Sequence, residues 1–194
     1  LNILLPLSLL VNLVQLFSNY NKINYKFYLS FIKYTIPFLL LSLFFIIKIE
    51  INMNYLVGIF IILISVQNNV PYLKKSIIKL INKKLFLILM GLIHGASNLG
   101  GSLLTAIIYS KKLSKNETRS TIVVCYATFA LIQLITILFV ADKYYFENII
   151  IYCTISFVVV ILSERYLYRQ IKPKFYNKFF ELFLLIMGCF LILK

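Results

Sequence analysis

The sequence predicts an all-α fold, a polytopic transmembrane helix bundle, on three observations. The 194-residue chain is 61% hydrophobic and only 13% charged, with a mean hydropathy of +0.92. Its apolar residues run in long blocks instead of following the amphipathic period of a soluble helix. Short basic connectors separate those blocks. A hydrocarbon core about 30 Å thick asks for roughly 20 apolar residues per helix, and the blocks approach that length.

Seven blocks follow in order: Leu1 to Phe17, Phe31 to Ile47, Tyr55 to Val66 with a polar extension, Leu85 to Tyr109, Thr121 to Ala141, Phe146 to Ser163, and Phe179 to Leu193. The fourth differs from the others. Its centre, His94 to Gly101, is polar and rich in glycine, so the block is expected to run as two half-length pieces, Leu85 to Ile93 and Ser102 to Tyr109. Leu1 opens inside an apolar stretch with no basic leader and no small-residue cleavage site, so no cleavable signal peptide is expected. A Leu at position 1 points to a fragment or to an unusual start.

Connector charge decides how the fourth block sits. Lys74, Lys75, Lys79, Lys83 and Lys84 precede it, and Lys111, Lys112, Lys115 and Arg119 follow it, offset only by Glu117. Basic connectors stay on the cytoplasmic side, so a block between two of them is expected to enter the membrane and return, as a re-entrant helical hairpin. Alternation then puts Lys22 and Lys26 inside, Lys48 and Glu50 outside, Asp142, Lys143 and Glu147 outside, and Arg165, Arg169, Lys172 and Lys174 inside. Every strongly basic loop is cytoplasmic on this reading, and the protein belongs in the cell membrane.

The formal net charge of +14 would suggest nucleic acid in a soluble protein, but here it lies in connectors and reads as topology and lipid headgroup contact. Lys outnumbers Arg by 17 to 3. Cys125, Cys153 and Cys189 lie inside apolar blocks without a CxxC or a metal-ligand spacing and read as small hydrophobes. No nucleotide loop, HExxH or catalytic dyad occurs, the six acidic residues sit near block ends, and neither a metal nor a cofactor is expected. An intramembrane enzyme is disfavoured, because its acid/base inventory would be one His with no acidic neighbour.

A faint repeat relates the two halves. Asn12-Leu-Val-Gln15-Leu-Phe17 aligns with Ala130-Leu-Ile-Gln133-Leu-Ile135, each followed by two further apolar blocks. Residues 1–71 then form a partial first repeat, 72–84 a cytoplasmic basic connector, and 85–194 a second repeat that holds the hairpin. With three crossings per unit the two repeats would be inverted, as in many secondary transporters.

Candidate function centres on the interrupted block. Irregular backbone at membrane depth must be buried in protein or line a wet cavity. A second half-helix starting near Ser102 would aim free N–H groups of Gly100, Gly101 and Ser102, with its positive dipole end, at the hairpin tip. That arrangement suits an anion. His94, Ser97, Asn98 and Thr105 add polar side chains, and His94 is the candidate proton-sensitive group. Asn12, Gln15 and Gln133 are either interhelical glue or pore lining, and Arg119 is either a positive-inside anchor or an anion-attracting charge. The glycines have a second reading as close helix-packing positions.

The segment GLIHGASNLGGSLLTAIIYSKKLSKNETRSTIVVCYATFALIQL, residues 91–134, resembles the TauE/SafE sulfite exporter family. The resemblance rests on Gly91, Gly95, Gly100 and Gly101 for the Gly-rich opening, on Lys115, Glu117, Arg119, Ser120 and Thr121 for the polar run, and on Gln133 in the following helix. It implies two copies of one unit, with LPLSLLVNLVQLF as the second element of the first copy and that copy's Gly-rich segment missing. It also implies a secondary transporter of a small anion such as sulfite, a sulfonate or another organosulfur anion. Expected partners are that solute, membrane lipid and a second copy of the chain, with no nucleic acid. The competing expectation is a non-transporting accessory or assembly protein whose glycines only pack helices.

Overall fold

The computed structural model describes residues 3–17, 20–46, 54–66, 70, 79, 84–98, 100–111, 113–140, 148–168, 170 and 172–193. Of these, 92% are helical and none lies in a strand, which is the predicted all-α class. Among the described residues the α-helices are α1 (Leu4–Phe17), α2 (Tyr25–Ile46), α3 (Asn54–Val66), α4 (Lys84–Ser97), α5 (Gly100–Ser110), α6 (Lys115–Val140), α7 (Ile149–Leu162) and α8 (Pro173–Leu193). A short 3-10 turn, Tyr20–Lys22, precedes α2, and a π-helical turn, Ser163–Tyr168, continues α7.

Three of these helices are long and apolar enough to cross a membrane: Tyr25–Phe45, Lys115–Phe139 and Ile149–Tyr166. Large side chains that would face lipid, Phe44, Phe139, Ile150 and Phe190 among them, are exposed, as expected when the solvent around the helices is hydrocarbon.

Three helices begin six residues earlier than their apolar blocks, and the reason is local capping and first-turn chemistry that a hydropathy pattern does not carry. At α6 the expected start was Thr121. The helix instead opens at Lys115 because Ser114 and Glu117 form a capping box: the Glu117 N–H donates to Ser114 Oγ at 3.3 Å, and the Ser114 N–H donates to Glu117 Oε2 at 3.1 Å. At α2, Asn24 caps the first turn by accepting the Phe27 N–H at 3.0 Å. At α8 the helix begins at Pro173, whose fixed φ and missing N–H suit a first helical position.

The chain forms two compact units. The first comprises Leu1–Tyr28 and Ser114–Ile171, and the second Leu29–Leu113 and Lys172–Lys194. Each unit draws helices from both of the predicted repeats, so packing divides the chain differently from the 1–71, 72–84 and 85–194 segmentation.

In the first unit, α1 packs on α6 and α7. The Asn24 N–H donates to Thr121 Oγ1 at 2.9 Å, and the Tyr28 and Thr128 hydroxyls share a hydrogen bond of 2.9 Å. In the second unit, α3 packs on α8 and α5, and α4 on α5. The α3–α8 crossing is reciprocal. A β-carbon on Gly58 would meet the Gly188 carbonyl oxygen at 3.0 Å and Ile192 Cγ1 at 2.8 Å, and one on Gly188 would meet the Gly58 carbonyl oxygen at 3.0 Å and Ile62 Cγ1 at 2.6 Å. The sequence matches at the same places, with Gly58-x-Phe60-x-Ile62 against Gly188-x-Phe190-x-Ile192. This second stretch of internal similarity lies outside the one read from Asn12 and Ala130.

The connector residues behind the orientation reading (Lys48, Glu50, Lys74, Lys75, Lys83, Lys112, Asp142, Lys143, Glu147 and Arg169) lie outside the described residues.

Candidate functional site

The interruption in the fourth block is real but narrower than expected. His94 to Gly101 is predicted to be non-helical; in the structure α4 runs through Ser97 and α5 starts at Gly100, with Asn98 as the described residue between them. Close contact with α2 explains the extra turn of helix. Gly95 lies against α2, and the packing offsets the roughly 1 kcal/mol that glycine costs in a helix interior.

Asn98 stops α4. Its φ is 60°, the left-handed region that non-glycine residues enter at a cost and Asn tolerates best. Its N–H donates to the His94 carbonyl at 2.8 Å, closing the helix with a C-terminal cap. The chain then doubles back. A β-carbon on Gly100 would sit 2.8 Å from the Met90 carbonyl oxygen and 2.9 Å from His94 Cα, which places the start of α5 against the last two turns of α4. With 14 residues in α4 and 11 in α5, at about 1.5 Å per residue, neither helix reaches across a 30 Å hydrocarbon core.

Two faces of α4 have separate tasks. Leu87, Gly91 and Gly95 face α2: the Thr35 hydroxyl donates to the Leu87 carbonyl at 3.1 Å, a β-carbon on Gly91 would lie 3.2 Å from Leu39 N and clash with the Thr35 carbonyl, and one on Gly95 would lie 2.7 Å from the Leu39 carbonyl oxygen and clash with Ser42 Oγ. Gly91 and Gly95 are thus close-approach positions of the G-x-x-x-G kind. Met90 and His94 face the start of α5. His94 is buried, at 4% exposure, in the last turn of α4.

The predicted site residues distribute over the two units. His94, Asn98, Gly100, Gly101 and Thr105 lie close in sequence on the last turn of α4, the turn after it and the first turns of α5. Ser97 and Ser102 share that backbone, and their side chains lie outside the described residues. Gly100 and Gly101 are buried. The helix starts at Gly100 and not near Ser102, so the N–H groups of Gly100, Gly101 and Ser102 are all in its first turn, where no intrahelical acceptor exists. Thr105 is buried and its hydroxyl donates back to the Gly101 carbonyl at 2.9 Å.

Asn12, Gln15, Arg119 and Gln133 lie in the first unit. Asn12 is buried and its amide donates to the Ser8 carbonyl at 2.7 Å and to Ser8 Oγ at 3.2 Å, a bond within α1 and not between helices. Gln15 is half-buried on α1 and Gln133 is buried on α6. Arg119 is neither a bare anchor nor an isolated charge. Its Nη1 donates to Glu164 Oε1 at 2.7 Å, and Nη2 pairs with Oε2, a two-pronged fork. Glu164 was missed: acidic residues were expected to stay out of the packed interior because they sit near block ends, yet this carboxylate is drawn in, at 16% side-chain exposure, to match the guanidinium.

No group of three or more His, Cys, Asp or Glu side chains that could hold a metal ion occurs among the described residues. A family model, Sulfite exporter TauE/SafE, matches residues 2–191 of the chain. The chain belongs to the TauE/SafE sulfite exporter family. The match reaches well beyond residues 91–134, where the sequence motifs are concentrated, and extends into every described helix of both units. No curated protein and no solved structure matches the chain. As a TauE/SafE protein it is a membrane protein of a transporter family, and its apolar helices accord with that.

Proposed function

We propose that this TauE/SafE protein is a secondary transporter that carries a small sulfur oxyanion, sulfite or a sulfonate, across the cell membrane. The observation that carries the reading is the family match over residues 2–191. The anion is held where α5 begins, by the N–H groups of Gly100, Gly101 and Ser102, with the helix dipole adding favourable potential. Asn98 supplies a side-chain contact at the turn, and Ser97, whose side chain lies outside the described residues, is proposed as a second. Thr105, bonded to the Gly101 carbonyl, holds the first turn of α5 in shape, and its oxygen is a further polar group there. His94, packed on Gly100, is the proton-sensitive group and couples anion movement to protonation. Asn12, Gln15, Gln133 and Arg119 serve the solute's path in the first unit.

The short lengths of α4 and α5 and the reversal at Asn98 support a re-entrant hairpin; the basic charge of its connectors is what favours the cytoplasmic side. The reciprocal contact of Gly58 with Gly188 supports two repeats. Purified protein in liposomes is expected to exchange external labelled sulfite for internal sulfite. Gly101→Leu should abolish that exchange while membrane insertion persists; normal exchange by this variant rejects the site. Cysteines introduced as Ser76→Cys and Lys111→Cys should react with an impermeant reagent from one face only, and reaction from opposite faces rejects the hairpin.

The accessory reading draws on a specific observation too, since Gly91 and Gly95 are spent on contact with α2. It predicts no sulfite binding and no loss on His94→Leu, outcomes the same preparations will reveal.

A further inference from the structure

We propose that Glu164 is an internal surrogate for the transported anion: its carboxylate occupies the oxyanion position of a docking station built on Arg119, and arriving solute displaces it. This inference rests on the transporter reading and adds a second anion station, in the first unit.

The geometry of the pair motivates it. Both oxygens of Glu164 are taken by both terminal nitrogens of Arg119. A sulfite or a sulfonate can present a pair of oxygens to a guanidinium fork as a carboxylate does, so the ligand the protein supplies from its own chain shares the two-oxygen anionic edge of the proposed cargo. Side-chain exposures of 14% for Arg119 and 16% for Glu164 leave the fork shielded enough to bind strongly and open enough for exchange.

Residue choice points the same way. The chain carries 17 Lys and 3 Arg, so lysine is its ordinary cation. All three arginines belong to this neighbourhood in sequence or contact: Arg119 holds Glu164, Arg165 follows it directly, and Arg169 comes five positions later. Guanidinium differs from ammonium in offering a planar, two-pronged match to an oxyanion, which a positive-inside anchor does not need. Arg165 is exposed and lies over the Tyr166 ring, 5.8 Å from its centroid. Glu164 itself stands on the π-helical turn Ser163–Tyr168, a wider and less stable winding than the α-helix before it. Such a turn rewinds at modest cost, giving the carboxylate a way to withdraw.

Sulfite and methanesulfonate binding to the purified protein, measured by calorimetry, tests the proposal. Glu164→Gln removes the competing charge and should tighten sulfite binding about tenfold, whereas Arg119→Gln should weaken it at least about tenfold, in line with the worth of a charge-assisted bond. The double variant should follow Arg119→Gln. A purely structural clamp predicts that both single variants shift binding in the same direction or leave it unchanged, and either result overturns the proposal. Where Glu164→Gln does not purify as a monodisperse protein, Glu164→Asp, with its shorter reach to the fork, should tighten binding by a smaller factor; no tightening in that variant overturns it equally. Wild-type protein that binds neither probe overturns this station and the transporter reading together. Wild-type binding without the opposite signs overturns the station alone.

Discussion

The two compact units differ in what brings their helices together most closely. In the second unit the closest contacts come from leaving side chains out: Gly91 and Gly95 bring α4 onto α2, where the Thr35–Leu87 bond adds one polar tie, and Gly58 and Gly188 bring α3 onto α8. In the first unit, beside the packing of α1 on α6 and α7, directed polar bonds tie distant segments: Asn24 to Thr121, Tyr28 to Thr128 and Arg119 to Glu164. Hydrocarbon supplies no hydrophobic drive between apolar helices, so close van der Waals contact and interhelical hydrogen bonds are the available alternatives. Glycine contacts tolerate no added atoms, whereas each polar bond is modest and individually replaceable. The same chain therefore contains a brittle unit and a forgiving one.

The sharpest way to break that comparison is Gly91→Val. Its β-carbon falls on the Thr35 main chain, which cannot swing aside, so a loss of about 3 kcal/mol or more is expected. Thermal unfolding in detergent should show the largest drop in Tm for this variant; a wild-type Tm would mean that α2 and α4 are not in this register.

Next in size is Arg119→Met, which strands the Glu164 carboxylate. A fully buried pair would lose about 3–5 kcal/mol, and partial exposure reduces the expected loss to about 2 kcal/mol. The double change Arg119→Met with Glu164→Leu should recover most of it, because replacing both charges leaves no orphan. Denaturation of the three variants checks the cycle, and a double variant less stable than Arg119→Met alone would contradict it.

Ser114→Ala removes the capping box at the start of α6 and should cost about 1 kcal/mol. Amide hydrogen exchange should speed up at residues 115–118 and stay unchanged farther along α6. The smallest effect is expected at the Tyr28–Thr128 bond. A double-mutant cycle with Tyr28→Phe and Thr128→Val should return a coupling of about 0.6 kcal/mol, typical of polar bonds between membrane helices; a coupling above about 2 kcal/mol would put this bond in the brittle class.

Much of the architecture was legible before any coordinates. Long apolar blocks gave the all-helical class, and the density of glycine and polar residues marked the fourth block as the one that breaks. Helix starts were less legible, although Ser114-x-x-Glu117 and Asn24 were capping signals in plain view, because hydropathy sees membrane depth and not the aqueous turn ahead of it. At the candidate site, His94 stands in the last turn of α4, Asn98 at the turn, and Gly100, Gly101 and Thr105 in α5. Their division of labour was hidden. That Gly91 and Gly95 pack on α2 and Asn98 stops α4 depends on which neighbour each residue meets.

What the amino-acid order determined by itself was anything set locally: apolar run length, a break within His94 to Gly101, and the capping residues. What only the tertiary structure decided was pairing across distance. Gly58 finds Gly188 and Arg119 finds Glu164 through contacts between residues more than 40 positions apart, and no local periodicity encodes such partners. The physical reason is that a short-range propensity acts along the backbone, whereas a guanidinium or a bare glycine surface is completed only by whatever another helix brings against it.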